Sequence, residues 1–254
     1  MKKWEDMPLE MQNEQVRYYY EILSRKRFSL AFKRLFDIVV SLIMLVLLSP
    51  LFLILALAIK IDSRGPVFYR QERVTRYGKK FRIHKFRTMV NGADKKGSLV
   101  TVKNDSRVTR VGKFIRKCRL DEVSQLIDVL VGDMTFVGTR PEVVKYVDRY
   151  TPDMRATLLL PAGVTSEASI LYKDEDKLLD GADNVDDVYV ERVLPGKMYY
   201  NLKSIEKFSF WGDIKTMFKT VFAVLGKEYT GDYKEPEDTV TEQNTEKSKE
   251  SVEV

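Results

Sequence analysis

The sequence has almost no residues of the two types that build disulfide frameworks or zinc sites. It contains one cysteine, Cys118, and one histidine, His84, among 254 residues. One cysteine cannot form an intramolecular disulfide, which fits a reducing, cytoplasmic compartment. A zinc site of histidines and cysteines is excluded as well, because such sites need three or four of these ligands. We interpret His84 as a structural histidine within a strand.

Phosphate-binding glycine loops are also missing. The sequence contains neither G-x-x-x-x-G-K-[ST] nor G-x-G-x-x-G, so a P-loop or a Rossmann nucleotide site is excluded. There is no internal repeat, and no pattern typical of a recognition helix, an RNA-recognition strand or a zinc finger. We therefore expect no nucleic acid partner, although the chain is basic.

Negative charge is in excess at the end of the sequence. The formal net charge is +6, and the stretch from Asp232 onward holds eight acidic and three basic residues. The preceding residues therefore carry a net charge of +11. Such a basic body indicates anionic lipid headgroups or phosphates as partners. Residues 227–254 contain too few apolar residues to fold, and we predict a disordered acidic tail there.

One long apolar run extends from Ile38 to Ile59, and Ser49 and Pro50 interrupt it near its middle. As a helix it would be roughly 33 Å long, just enough to cross a ~30 Å hydrocarbon core. Basic residues flank both ends, which favours a cytoplasmic position for both. Pro50 breaks or kinks a helix, and the hydroxyl of Ser49 can bind a freed carbonyl. From physics alone, a kinked span is favoured over a hairpin that enters and leaves by the cytoplasmic face.

Composition divides the chain into four segments. Residues 1–32 predict an amphipathic helix rich in tyrosine, methionine and basic residues, which lies either at the membrane interface or against the body of the protein. Residues 33–60 are the membrane segment. Residues 61–226 form a globular domain, and residues 227–254 the acidic tail.

The globular domain predicts an α+β fold that is mainly helical with a small β-hairpin. Tyr77 and Gly78 mark a hairpin turn between a short strand at residues 67–69 and a second strand from Lys80 to Phe86. Helical periodicity follows within residues 114–130, and Gly132 is a suitable C-cap. Further elements are a helix at 141–150, a loop at 158–165, and two helices joined by a turn within 199–225.

Two acidic groups are candidate functional residues. Asp121 and Glu122 fall at a predicted helix start, where free N–H groups favour carboxylates and phosphates alike. Taken alone, this pair is typical of ordinary helix-start acids. The stretch from Asp174 to Asp176 has the D-x-D pattern with which some nucleotide-sugar glycosyltransferases bind metal, although short acidic stretches often occur by chance.

Several motifs in one order resemble the bacterial sugar transferase family, the small monotopic phosphoglycosyl transferases. The resemblance covers about Lys33 to Leu225, including the apolar run interrupted by Ser-Pro. Members transfer a sugar 1-phosphate from a UDP-sugar to undecaprenyl phosphate with Mg²⁺ and release UMP, so the resemblance implies an enzyme that starts a surface glycan. The motifs are KFRTM at 85–89, GKFIRKCRLDE at 112–122, GDMTFVGTRPE at 132–142 and DIKTMFKT at 213–220.

The resemblance implies roles for individual residues. Asp121 matches the family's nucleophile, which forms a covalent phosphosugar intermediate, and Glu122 matches its partner, a metal ligand or base. Both residues are therefore the implied ligands of Mg²⁺. The residues implied to bind phosphate or substrate are Lys85, Arg87, Arg116 and Arg140.

The resemblance also implies a location. It indicates a monotopic membrane protein with one re-entrant helix broken at Ser49 and Pro50. On this ground we predict a re-entrant helix instead of the kinked transmembrane span that physics alone favours. The enzyme would lie at the cytoplasmic face of the bacterial inner membrane, in contact with its lipids, with both termini in the cytoplasm and residues 61–226 as the catalytic domain. A homodimer stays open.

Three positions depart from the family's usual pattern. Ser124 stands where proline is common, and Thr139 replaces a proline in the loop that carries Arg140. Residues 161–170 differ from the usual P-G-x-T-G loop and the segment after it, which leaves the sugar undetermined. Two other functions stay open: a membrane adaptor whose basic face recruits lipid or a partner, and a D-x-D glycosyltransferase that releases UDP instead of UMP.

Overall fold

The computed structural model describes residues 1–93, 105–173 and 184–224. The predicted acidic tail at 227–254 and the D-x-D stretch at 174–176 lie outside the described residues. Within them, helices dominate and short strands accompany them, which confirms the α+β class.

The described α-helices are α1 (Glu14–Ser24), α2 (Arg27–Leu47), α3 (Ser49–Asp62), α4 (Arg110–Lys117), α5 (Leu126–Val131), α6 (Val144–Val147), α7 (Glu167–Leu171), α8 (Val185–Val188), α9 (Leu194–Glu206) and α10 (Phe210–Val224). The described strands are β1 (Phe68–Val74), β2 (Lys80–Phe86), β3 (Met134–Val137) and β4 (Ala162–Thr165). Short 3₁₀ turns occur at Trp4–Asp6, Leu9–Met11, Arg76–Gly78, Leu120–Gln125 and Met154–Leu159, and a short π-helix at Tyr189–Val193.

Helices α2 and α3 form a bent apolar pair. Their axes differ by 61°, and the break lies at Leu48. Pro50 stands in the first turn of α3, where its missing N–H has no intrahelical role. The hydroxyl of Ser49 donates to the carbonyl of Val46 at 2.8 Å, as the sequence predicts. No single helix in the described residues is long and apolar enough to cross a membrane, whereas this bent pair passes the same test of length and composition.

Buried polar side chains fix the N-terminal half of α2 to the globular domain. We call the part from Lys33 to Asp37 the base of α2. Lys33 Nζ donates to Asp213 Oδ2 at 2.5 Å and to the Val137 carbonyl at 2.8 Å. Four residues further along α2, Asp37 accepts a hydrogen bond from the Thr135 hydroxyl at 2.7 Å. A buried charge without such partners would be costly, so these contacts hold α2 in place against β3 and α10.

Strands β1 and β2 form the predicted antiparallel hairpin, with Phe68 opposite Phe86. The first strand is longer than predicted, because pairing continues to Val74 opposite Lys80. The prediction of a loop across 158–165 was wrong: its second half is β4, which pairs in parallel with β3. In the first half, Leu158 and Leu159 end the 3₁₀ turn that begins at Met154.

Two glycines allow the ends of β3 and β4 to meet. The Gly138 N–H donates to the Thr165 carbonyl at 2.9 Å, and the Gly163 N–H donates to the Thr139 carbonyl at 2.8 Å. A Cβ on Gly163 would lie 2.2 Å from backbone atoms of Gly138. Only a residue without a side chain fits there, and the close approach fixes the loop that follows β3.

We expect Gly163→Ala to lower the free energy of unfolding by about 3 kcal/mol, because the backbone of the two strands must move apart. Thermal unfolding would then shift by roughly 6–12 °C, at ~2–4 °C per kcal/mol for a chain of this size. Gly212→Ala is the matched control, since its Cβ would meet only the side chain of Ser209. An equal shift in both variants would contradict the explanation by backbone contact.

The first 32 residues contain more than one helix. Two 3₁₀ turns, α1 and the start of α2 take the place of the single amphipathic helix that the sequence predicts. Asn13 caps α1 by accepting the Val16 N–H at 2.9 Å. The apolar side chains of this segment are buried in the same core cluster as those of α9: Met7, Met11, Val16, Tyr20 and Leu23.

The helix predicted at 141–150 is much shorter in the structure, where α6 covers four residues. The Glu142 carbonyl accepts the Val74 N–H at 3.0 Å, so this part of the chain bonds to β1 instead of forming a helix. The two helices predicted within 199–225 are confirmed as α9 and α10, although α9 begins earlier, at Leu194.

Candidate active site

The centre of the site is the carboxylate of Glu122, which lies between two cations. Lys85 Nζ donates to Glu122 Oε1 at 3.0 Å, and the Arg140 guanidinium donates to both carboxylate oxygens. Burial raises the pKa of Glu122, but the charges and hydrogen bonds of Arg140 and Lys85 outweigh burial and hold that pKa well below its usual range. Glu122 is therefore ionised and already paired.

Three separate elements bring these side chains together. Lys85 is in β2, Glu122 is in the 3₁₀ turn Leu120–Gln125, and Arg140 follows β3. Burial lowers the pKa of Lys85 more than the neighbouring Glu122 carboxylate raises it. The geometry thus joins Lys85, Glu122 and Arg140, three residues to which the resemblance assigns roles.

Asp121 has a different environment from Glu122. No side chain in the described ranges donates a hydrogen bond to the carboxylate of Asp121. Ser124 Oγ reaches Asp121 at its backbone carbonyl, at 3.3 Å. Burial raises the pKa of Asp121, and the adjacent Glu122 charge raises it further, against Lys85 and Arg116. A half-buried carboxylate that receives no side-chain hydrogen bond from the described residues is available to attack an electrophile or to bind a cation.

The backbone around this pair differs from the predicted α-helical start. Arg119 has a left-handed conformation with φ of 55°, which turns the chain after α4. Asp121 and Glu122 then lie in a 3₁₀ turn, and α5 begins only at Leu126. The prediction that the pair occupies the first turn of an α-helix was therefore wrong in detail. Gly132, in the left-handed region at φ 93°, ends α5 as predicted.

Ser124 of the 3₁₀ turn and Asp128 of α5 both bond to His84 of β2. Ser124 Oγ donates to the His84 carbonyl at 3.0 Å. The buried carboxylate of Asp128 accepts the His84 N–H at 2.8 Å and lies 2.7 Å from His84 Nδ1. His84 is thus a structural histidine in a strand, as predicted, and its position next to Lys85 fixes that residue relative to Asp121.

Arg116 lies near the carboxylate pair without touching it. Its Nε donates to the Thr88 hydroxyl at 2.8 Å, which orients the guanidinium from α4. Its positive charge lowers the pKa of Asp121, although burial and Glu122 dominate that pKa. The structure therefore places Arg116 within electrostatic reach of Asp121, and part of its donor set is already used by Thr88.

Arg87 occupies a different place from the one the resemblance implies. Its guanidinium donates to the Arg64 carbonyl at 2.6 Å and to the Ser63 carbonyl at 2.7 Å, at the end of α3. The residue is only 4% exposed. Arg87 thus satisfies carbonyl groups at the helix end, and we do not include it among the substrate ligands.

Sequence analysis missed a second ionic group behind Arg140. The Tyr189 hydroxyl donates to Glu142 Oε1 at 2.5 Å and accepts from Lys197 Nζ at 2.9 Å. Arg73 NH1 lies 3.9 Å from Glu142 Oε2. These contacts hold the segment next to Arg140. The only signal for them in the sequence was the extension of the motif to Glu142, since nothing marks Tyr189 or Lys197.

A cavity of about 960 Å³ opens beside Glu122 and Arg140, whereas Asp121, Lys85 and Arg116 are not in its wall. Its volume and mixed lining suit a ligand with polar and apolar parts. Polar side chains in the wall include Lys117, Arg119, Thr165, Ser169, Lys173 and Lys197. Apolar ones include Phe36 at the base of α2, Met44 and Leu48 near the helix break, and Ile214, Met217, Phe218 and Val221 of α10.

The acidic pair also fits a hard divalent cation. Within the described ranges no group of three or more histidine, cysteine, aspartate or glutamate side chains is arranged to hold a metal. Mg²⁺, however, is commonly held by one or two protein carboxylates together with substrate phosphates and water. Asp121 fits that coordination, since its carboxylate receives no side-chain hydrogen bond in the described part of the chain, and Glu122 fits less well because two cations already bind it.

Arginine and lysine side chains can bind phosphate oxygens and a carboxylate can act as a nucleophile, so this set of residues is able to bind and transfer a phosphate group. The sequence model of the family described as bacterial sugar transferase matches residues 28–227. The match covers more than half of the chain, and the chain belongs to this family.

Several curated relatives are named as sugar-phosphate transferases to undecaprenyl phosphate. A UDP-glucose:undecaprenyl-phosphate glucose-1-phosphate transferase of Klebsiella pneumoniae is 36% identical over 198 residues, covering 76% of this chain and 40% of the relative. An undecaprenyl-phosphate galactose phosphotransferase of Salmonella typhimurium is 37% identical, covering 80% and 42%. A UDP-glucose:undecaprenyl-phosphate glucose-1-phosphate transferase of Caulobacter vibrioides is 34% identical, covering 76% and 69%. The chain thus spans about two-fifths of the length of the first two.

Proposed function

We propose that this chain is a phosphoglycosyl transferase, which moves a sugar 1-phosphate from a UDP-sugar to undecaprenyl phosphate and releases UMP. Family membership and the names of the relatives support the substrate classes. The observation that carries the proposal is the contrast within the acidic pair. Glu122 is held by Arg140 and Lys85, whereas Asp121 receives no side-chain hydrogen bond within the described residues.

In the first step, an oxygen of the Asp121 carboxylate attacks the phosphorus that bears the sugar. The bond from that phosphorus to the bridging oxygen breaks, and UMP leaves with the electron pair, so the sugar phosphate is bound covalently to Asp121. Arg140 and Arg116 bind phosphate oxygens through paired N–H donors. Mg²⁺ held by Asp121 and Glu122 would offset negative charge on the diphosphate.

In the second step, an oxygen of undecaprenyl phosphate attacks the same phosphorus and releases the Asp121 carboxylate. The product is the undecaprenyl-diphosphate sugar, and the enzyme returns to its starting state. An acceptor phosphate carries its charge at the level of the lipid headgroups, so the site must lie at the membrane surface. The apolar wall that extends from Phe36 to Met44 and Leu48 along α2 fits the hydrocarbon end of this substrate.

We further propose that α2 and α3 enter and leave the membrane by the cytoplasmic face, as a re-entrant pair broken at Ser49 and Pro50. The 61° bend and the exposed apolar side chains of both helices support this arrangement. The protein would then be monotopic, at the inner membrane, with residues 61–226 and both termini in the cytoplasm. A spanning pair would instead place one end outside.

The re-entrant arrangement predicts that neither flank of the pair is accessible from outside the cell. In a Cys118→Ser background, Arg27→Cys and Lys60→Cys each introduce one thiol at an exposed position. We expect an impermeant maleimide to label neither variant in intact cells and both after lysis. Labelling of one flank in intact cells would show that the pair crosses the membrane.

The reaction is tested by incubating the purified chain with a panel of UDP-sugars, Mg²⁺ and undecaprenyl phosphate. We expect release of UMP, and without the lipid an intact mass increased by one sugar phosphate. Release of UDP would indicate the D-x-D glycosyltransferase instead. Lipid binding without turnover of any UDP-sugar would indicate the adaptor.

Ser124 is expected to act as a positioning residue. Its hydroxyl bonds the backbone of both His84 and Asp121, so Ser124→Ala loosens the nucleophile relative to the strand that carries Lys85. We expect kcat to fall roughly tenfold with little change in KM, since small misplacements of reacting groups are costly. Ser204→Ala, which removes a hydroxyl bonded only within α9, is the control. A rise in KM without loss of kcat would contradict this role.

A further inference from the structure

A second cavity lies between the base of α2, the end of α9 and the start of α10. Its volume is about 210 Å³, well above the ~10–15 Å³ that a cavity needs, on the same measure, to hold one water molecule. It shares no lining residue with the cavity beside Glu122. One wall is formed by Gly138 and Thr139, which directly precede Arg140, so the two cavities lie on either side of one loop.

The lining of this second cavity is positively charged. Lys33 is paired with Asp213 at 2.5 Å, and Lys219 lies 3.4 Å from Glu167. Lys207 and Lys215 lie at the exposed rim of the cavity and form no salt bridge with any residue of the described ranges. The formal charge of the lining is therefore +2, which favours an anion.

Asn201 adds a buried amide to the same cavity. The residue is 4% exposed, and its one hydrogen bond within the described part of the chain runs from Nδ2 to Met198 Sδ at 3.9 Å. A thioether is a weak acceptor, so this buried amide is poorly satisfied by the protein itself. Asparagine is also a poor residue in a helix interior, which makes a partner inside the cavity the simplest reason for its position in α9.

The surroundings of the cavity are those of a headgroup region. Phe32 precedes Lys33 and is half exposed. Its ring packs edge-on against the ring of Phe210, with 4.7 Å between the ring centroids. Trp211, beside Gly212 in the wall, is 77% exposed. Aromatic rings next to lysines, at the base of an apolar helix, are typical of the membrane–water interface.

We propose that this cavity binds a phosphate group, with Asn201, Lys207 and Lys215 as its ligands, and that an anionic phospholipid headgroup supplies it. A donor amide and two ammonium groups without carboxylate partners in the described residues match the acceptor oxygens of a phosphate diester. The site is separate from the transfer reaction at Asp121. It rests on the proposed membrane position of α2 and α3, and on no step of the chemistry.

The test is native mass spectrometry of the full chain, extracted from vesicles that contain equal amounts of phosphatidylglycerol and phosphatidylcholine. We expect one phosphatidylglycerol to be retained per chain, and roughly tenfold less in Asn201→Leu and in Lys207→Met/Lys215→Met, as for loss of hydrogen bonds to a charged group. Lys80→Met/Lys113→Met removes the same charge from the hairpin and from α4, and should retain the lipid like the unmodified chain.

Glycerol phosphate and inorganic phosphate distinguish the source of the phosphate. Binding of these soluble compounds without retention of phosphatidylglycerol would support a phosphate site in this cavity. It would refute the proposal that a lipid headgroup supplies the phosphate. Equal retention of the two lipids with no binding of the soluble compounds, or undiminished retention in Asn201→Leu, would overturn the site itself. Release of UMP by the Lys207→Met/Lys215→Met variant in detergent, measured in parallel, shows whether the transferase proposal stands independently.

Discussion

Asp121→Asn should abolish both the phosphosugar adduct and the release of UMP, with kcat at least ~10³-fold lower, because the amide oxygen is a poor nucleophile and no neighbouring carboxylate replaces it. Glu122 is close, yet Arg140 and Lys85 already bind it. The measurement is intact mass after incubation with a UDP-sugar, together with the rate of UMP release.

The same substitution should leave the fold intact. Burial and the Glu122 charge raise the pKa of Asp121, so its ionised form costs folding free energy at neutral pH, and a neutral amide removes that cost. We therefore expect a Tm equal to or above that of the unmodified chain. Asp148→Asn, at an exposed position, is the control and should keep full activity. Normal turnover by Asp121→Asn would refute the covalent mechanism.

Arg140→Met should lower kcat/KM by roughly 10²–10³-fold, the usual cost of removing one positioned donor to a charged transition state. It should also lower stability, because Glu122 then keeps only Lys85 as a cationic partner while it stays buried. Arg140→Lys should recover little activity, since lysine cannot bind two oxygens side by side.

A double-mutant cycle separates these two effects of Arg140. Glu122→Gln combined with Arg140→Met should recover part of the lost Tm and none of the lost activity, because the unpaired charge is gone while the phosphate ligand is still missing. Arg149→Ala removes an exposed arginine that lies 3.6 Å from Asp187, and it should change neither quantity. Full recovery of activity in the double variant would show that Arg140 acts only by pairing Glu122.

Local signals explain the elements that the sequence predicted well. The hairpin follows from Tyr77 and Gly78, because both adopt positive φ and thus reverse the chain between two strands. The helix break follows from Pro50, and the bond from Ser49 to Val46 follows from the short reach of a hydroxyl to a carbonyl three residues earlier. Each of these features depends on residues that are close in sequence.

Elements that depend on distant partners were missed. Strands β3 and β4 have four residues each and pair in parallel, so neither shows a period long enough to recognise. Arg87 is a similar case, because the motif that it shares with Lys85 suggested a substrate ligand. Its backbone N–H instead bonds to the Val67 carbonyl, and its guanidinium bonds to carbonyl groups at the end of α3. The motif gave the residue types and could not give their directions.

The contacts at the base of α2 also determine when this part of the fold can form during synthesis. Lys33 and its partner Asp213 are 180 positions apart. At ~5–20 residues per second, the ribosome needs roughly 10–40 s between these two residues. The apolar pair therefore emerges long before α10 can dock against it, and until then Lys33 lacks its counter-ion. Packing of α10 against α2 is consequently a late event in the synthesis of the chain.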